Sequence, residues 1–91
     1  MIKSFTVEES GQGRYYQSFE NDYRKKVKTL SIIGPMGLTF WINEMPHPIM
    51  IYSVDGVWEW NINGQTEIKN IIFDPITCLG EKPQIIIEYS D

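Results

Sequence analysis

Few side chains in this 91-residue sequence are suited to catalysis. His47 is its single histidine, set between Pro46 and Pro48, which removes any site needing two imidazoles, including most zinc sites. The flanking prolines hold the backbone extended, so the imidazole is expected on an exposed loop, as a contact residue more than a base. Cys78 is also alone; it has no intrachain disulfide partner, and its neighbours Thr77 and Leu79 offer no cation to stabilise a thiolate. A small buried hydrophobe is the expected role. The glycines of ESGQGR and GPMG lack the strand, loop and helix context and the Lys-Ser/Thr ending of a phosphate-cradling loop. No metal or cofactor is expected.

One pair of acids merits weighing. If the strands around Asn63-Gly64 form a hairpin with a three-residue loop, Glu59 falls directly opposite Glu67. Two carboxylates so placed would push one pKa upward and serve as an acid and base pair, as in glycoside hydrolysis. A small glycosidase-like enzyme is therefore the second alternative. Against it, Lys69 lies diagonally nearby on what would be a solvated sheet face, and so small a domain offers no obvious deep cleft.

Charge points elsewhere. Twelve acidic and eight basic residues give a net charge of −4, yet Arg24, Lys25, Lys26 and Lys28 hold four of the basic residues within one short run. The chain is an acidic body with one basic spot, so it repels a phosphate backbone in general while leaving a local patch that can dock an acidic protein surface. Tyr15, Tyr16, Phe19 and Tyr23 lie close by in sequence and could stack on bases, which makes a single-stranded nucleic-acid binder the first alternative. Met36 in GPMG and Met45 in EMPHPIM sit at turn tips beside prolines, where thioethers make adaptable apolar contacts at low ordering cost.

These side chains must be positioned by β structure. Turn signals fall at short intervals (ESGQG, END, GPMG, EMPHP, DG, NG, DPITCLGEKP) between runs rich in Ile, Val, Thr and aromatic residues. Strands are expected near 2–8, 14–20, 25–33, 38–43, 49–54, 57–62, 65–73 and 84–89. In the hairpins this suggests, Asp55-Gly56 sets Ser53 against Trp58 and Ile51 against Trp60, while the next loop sets Trp60 against Thr66 and Trp58 against Ile68. One face then carries Ile49, Ile51, Trp58, Trp60, Ile68 and Ile72, and exposing that much apolar surface would forfeit several kcal/mol, so it is read as core. The segment 14–28 also has helical spacing, with Tyr16, Phe19, Tyr23, Val27 and Leu30 on one face. Asn21-Asp22 and the abundance of aromatics favour a hairpin there, and an α+β fold with one helix is the alternative.

The sequence thus predicts a single domain over 1–91: all-β, an antiparallel meander of seven or eight short strands forming a small barrel or sandwich. Closure, or an intersubunit sheet in a homodimer, would hide the edge that QIIIEYS otherwise exposes. The N-terminus has no apolar leader-like segment, and no run is long enough to span a bilayer, so a cytoplasmic protein without membrane contact is expected. For function, a non-catalytic protein-binding module is expected, by class-level analogy a small inhibitor or assembly factor of the kind phages and other mobile elements carry. Met36, Met45 and His47 would make contact, and Arg24, Lys25, Lys26 and Lys28 would steer the approach.

Overall fold

A computed structural model describes residues 1–22 and 24–90. Runs rich in Ile, Val, Thr and aromatic residues produce the strands β1 (Ile2–Thr6), β2 (Tyr15–Ser18), β3 (Val27–Ile33), β4 (Thr39–Ile42), β5 (Ile49–Met50), β6 (Val57–Asn61), β7 (Asn70–Phe73) and β8 (Gln84–Tyr89), with a short 3₁₀ turn at Pro75–Cys78. Each falls inside an expected run. The segment 14–28 holds β2 and the start of β3, with no helix among its described residues. Two four-stranded sheets, ordered β1-β8-β3-β6 and β2-β7-β4-β5, face each other as a sandwich, and every pairing is antiparallel.

Connectivity departs from a meander. Among the described strands, only β4 and β5 are both consecutive and paired. The expected hairpin between β6 and β7 does not form: Trp58 pairs with Ile32 and Trp60 with Leu30, both on β3, while β7 lies in the other sheet. Segments β2 and β3 likewise enter different sheets, so Asn21-Asp22 turns the chain across the sandwich. The physical reason is visible in the backbone bonds. Asn63 and Gly64 both have positive φ and turn tightly, with the Gln65 amide donating to the Ile62 carbonyl at 3.1 Å. Rather than zipping two strands together, this turn donates to β3: Ile62 and Asn63 to Lys28 O, and Gly64 to Val27 O.

The two indoles do pack inward. Leu30, Ile32, Ile85 and Ile87 from one sheet meet Phe40, Ile42, Ile71 and Phe73 from the other, all essentially inaccessible. Trp58 and Trp60 pack against this core half-buried, Trp58 edge-on to Phe40 with ring centroids 5.3 Å apart. Full burial of such side chains is worth about 1.5–3 kcal/mol each. Ile72, expected on the same inner face, points outward, because it alternates with the buried Ile71 and Phe73.

Two local features matter for the surface. A register shift between Val27 and Thr29 lets Val27 and Leu30 both reach the core while Lys28 stays outside. Strand β8, with its apolar Ile85–Ile87 run, sits between β1 and β3, so the hazardous edge is hidden within its own sheet, without barrel closure or a second copy.

Candidate functional site

Strand β3 begins at Val27 and ends at Ile33; residues 34–38 cross to β4, which ends at Ile42. The segment preceding β3 and the β4–β5 connection therefore share one end of the sandwich, and residues 34–38 lie at the other. Register places 51–56 and 74–79 with 34–38, since Ile33 faces Val57 and the Asp74 amide donates to Thr39 O at 2.9 Å. The expected contact residues are thus divided, with Met36 at one end and Met45 and His47 at the other.

The basic end is narrower than its sequence suggests. Arg24 is partly buried and its Nε donates to Phe19 O at 2.6 Å, while its own carbonyl accepts from the Ile68 amide. It holds the turn between β2 and β3. Lys25, Lys26 and Lys28 remain exposed and, with Asn63, Gly64 and Ser90, border a depression of about 220 Å³. Among the described residues the ion pair is Lys82–Glu8, so these lysines have no carboxylate partner. Of the rings that might have stacked on bases beside them, Tyr15 and Phe19 are buried in the core and Tyr16 faces outward from the other sheet. Tyr23 lies outside the described residues.

At the opposite end, five large apolar side chains are exposed: Met36, Tyr52, Val54 (92% exposed), Ile76 (82%) and Leu79 (70%). The three segments carrying them are bonded together. The Gly34 amide donates to Gly56 O at 2.9 Å, Gly37 to Ile51 O at 2.7 Å, and Thr39 to the Thr77 hydroxyl at 2.9 Å. Gly56 is required, because a Cβ there would lie 2.3 Å from Gly34 O and the backbone φ is +72°. Pro75 opens the 3₁₀ turn, and the Asp74 carboxylate caps it by accepting from the Ile76 amide at 3.1 Å. Of the five, sequence reading marked Met36 alone. The overlooked signal was apolar residues inside turn-rich stretches, YSVDG and DPITCLG, where turn chemistry does not ask for them.

A third feature lies on the outer face of the β2-β7-β4-β5 sheet. Register aligns Tyr16, Ile72 and Trp41 across three adjacent strands. They form the floor of a groove of about 940 Å³, rimmed by Arg14, Gln12, Glu44 and Asp74. Sequence reading did not single out Trp41, because a tryptophan in an alternating strand reads equally well on either face.

Catalytic arrangements are weaker. Glu59 stands opposite Ser31 of β3, and the pairing that was to bring Glu67 against it is not formed, which removes the geometric ground for an acid and base pair. Cys78 is buried, and burial together with the Asp74 carboxylate pushes its pKa up to about 11, so at neutral pH it is a protonated thiol and no nucleophile. Among the described residues, no three His, Cys, Asp or Glu side chains come together to hold a metal, and no helix is long and apolar enough to cross a membrane. No known protein family, curated protein or solved structure matches the chain.

Proposed function

We propose that the protein is a non-catalytic binding module that occupies a partner protein's surface through its apolar end, in the manner of a small inhibitor or assembly factor. The observation that carries this is the exposure of Met36, Tyr52, Val54, Ile76 and Leu79 on three mutually hydrogen-bonded segments. Isolated exposed apolar residues are ordinary; five on one rigid end make a preorganised patch, which binds without a large ordering cost. Met45, His47 and the lysines lie at the far end, so contact and electrostatic steering are separated along the molecule. A cytoplasmic setting belongs to this reading, in keeping with a single buried thiol.

Site-specific photocrosslinking in the native cell tests it. A photoreactive residue at position 54 or 76 should give one dominant crosslinked protein, and the same residue at Glu59, on the outer face of the other sheet, should not. A crosslink pattern identical at all three positions, or none at 54 and 76, defeats the proposal. Recovery of the chain crosslinked to itself would make the partner a second copy.

A further inference from the structure

The outer-face groove adjoins the apolar end at Asp74 and Pro75 but contains none of its five exposed apolar side chains, and its chemistry differs. We propose that it binds carbohydrate: the Tyr16 and Trp41 rings stack on the apolar faces of sugar rings, and Arg14, Gln12 and Glu44 hydrogen-bond to their hydroxyls.

The floor comes first. Tyr16 and Trp41 stand two strands apart with Ile72 between them, a separation of about 10 Å at the usual strand spacing. That gives an aromatic, aliphatic and aromatic shelf, suited to a ligand with apolar faces and polar edges. The rim supplies both kinds of hydrogen-bonding group. Among the described residues the Arg14 guanidinium, the Gln12 side-chain amide and the Glu44 carboxylate have no protein partner, whereas one Asp74 oxygen is already used in capping. A cation, an amide and a carboxylate around one shelf match hydroxyls, each of which donates and accepts and carries no charge.

Other occupants fit less well. Phosphate-bearing ligands meet Glu44 and Asp74 in a chain of net charge −4. A peptide strand added by backbone pairing would have to join the edge of β2, where Glu9 already bridges to Tyr15, and would then lie beside the sheet and not across the Tyr16, Ile72 and Trp41 floor. A wholly apolar ligand would leave the charged rim desolvated and unpaired.

Backbone strain points the same way. Asn43 and Glu44 form the centre of a turn closed by the Met45 amide on Ile42 O, and both have positive φ, 55° and 59°. The Asn43 side chain is held by donating to Glu67 O and accepting from the Lys69 amide, each at 2.6 Å. Glu44 has no such compensation in a conformation that suits glycine, yet it lines the groove. A glycine would turn the chain at lower cost, and the carboxylate is what it would lose.

The test uses the full chain, a glycan array, and titrations with hexaoses of glucose, N-acetylglucosamine and mannose read by calorimetry and tryptophan emission. At least one saccharide should bind, and Trp41→Ala should weaken it by about tenfold or more. Tyr16→Ala, on an edge strand, serves if the Trp41 variant does not fold. Glu44→Gly should weaken binding several-fold while keeping or raising the thermal midpoint, an outcome that a merely structural role for Glu44 would not give. Val54→Asp should bind the saccharide as the wild type does, which separates this groove from the protein-docking end. No binding of any saccharide at millimolar concentration overturns the proposal, as does binding indifferent to both groove substitutions.

Discussion

The two ends of the sandwich use the same backbone device beneath opposite surface chemistry. At the apolar end, the chain turns at Gly56 (φ +72°), whose carbonyl accepts from the Gly34 amide just beyond β3; at the basic end it turns at Gly64 (φ +73°), whose amide donates to Val27 O at the start of β3. Around the first turn stand Val54, Tyr52 and Met36, and around the second Lys25, Lys26 and Lys28. Backbone conformation at each end is fixed by the need to satisfy β3's terminal groups, which leaves the side chains free to differ. The surface difference is therefore chemical and not a by-product of folding.

The sharpest way to break this likeness is to add a methyl group at each turn. Gly56→Ala sets a Cβ 2.3 Å from Gly34 O at positive φ, and strain with overpacking should cost about 3 kcal/mol. Gly64→Ala meets the Lys25 backbone carbonyl oxygen at 3.3 Å, a much milder approach than at Gly56, and should cost about 1–2 kcal/mol, mostly conformational. Urea denaturation of both variants measures the gap. Equal losses would show that close approach at the apolar end is not what fixes it.

A second difference lies beneath the apolar end, where Cys78 is buried. Its pKa is raised from 9.0 to about 11, by burial and then by Asp74. The unfolded chain loses this proton first, so the stability contribution is complete below pH 9 and disappears as pH rises toward 11. The slope should remove up to about 2–3 kcal/mol. Denaturation of wild type and Cys78→Ala between pH 8 and 11 isolates it; the variant should be less stable at pH 8 and show a shallower decline. Parallel declines would mean that the thiol is solvated.

How these ends are assembled was only partly legible in the sequence. Strands were readable because composition is local: VKTLSII, TFWI and QIIIEY are rich in β-branched and aromatic residues and mark themselves as strands without reference to any partner. Pairing was not, since Asp55-Gly56 and Asn63-Gly64 specify a tight turn but not whether the next strand returns beside the last or crosses to the facing sheet. Ile72 was misplaced for that reason, as its face depends on the register of β7. The helical spacing of Tyr16, Phe19 and Val27 was coincidental, for Phe19 and Val27 are core while Tyr16 faces out. At the candidate sites, the lysines were legible from charge, whereas Arg24's hydrogen bond to Phe19 and the exposure of Val54 and Ile76 are tertiary facts.

The basic end has a side-chain anchor of its own, as the apolar end has in the Thr77 hydroxyl. Asn43 bridges the β4–β5 turn to the segment before β7 through Glu67 O and the Lys69 amide. Asn43→Ala should cost about 2 kcal/mol, combining the lost bonds with a worse fit to φ +55°. Asn43→Gly should recover the conformational part alone. If the two variants are equally unstable in thermal unfolding, the hydrogen bonds carry the whole effect.

The smallest effects on folding should separate the ends most clearly in binding. Val54→Asp and the triple replacement of Lys25, Lys26 and Lys28 by Gln change exposed positions, so each should alter stability by no more than about 0.5 kcal/mol. Against the crosslinked partner, Val54→Asp removes buried contact and should act through faster dissociation. The lysine variant removes charge without contact, so it should slow association and flatten its dependence on salt while dissociation holds steady, because long-range attraction acts before the surfaces meet. Surface plasmon resonance at low and physiological salt resolves the two rates. A lysine variant that instead dissociates faster would place the basic end inside the interface, and the division of labour between the two ends would fail.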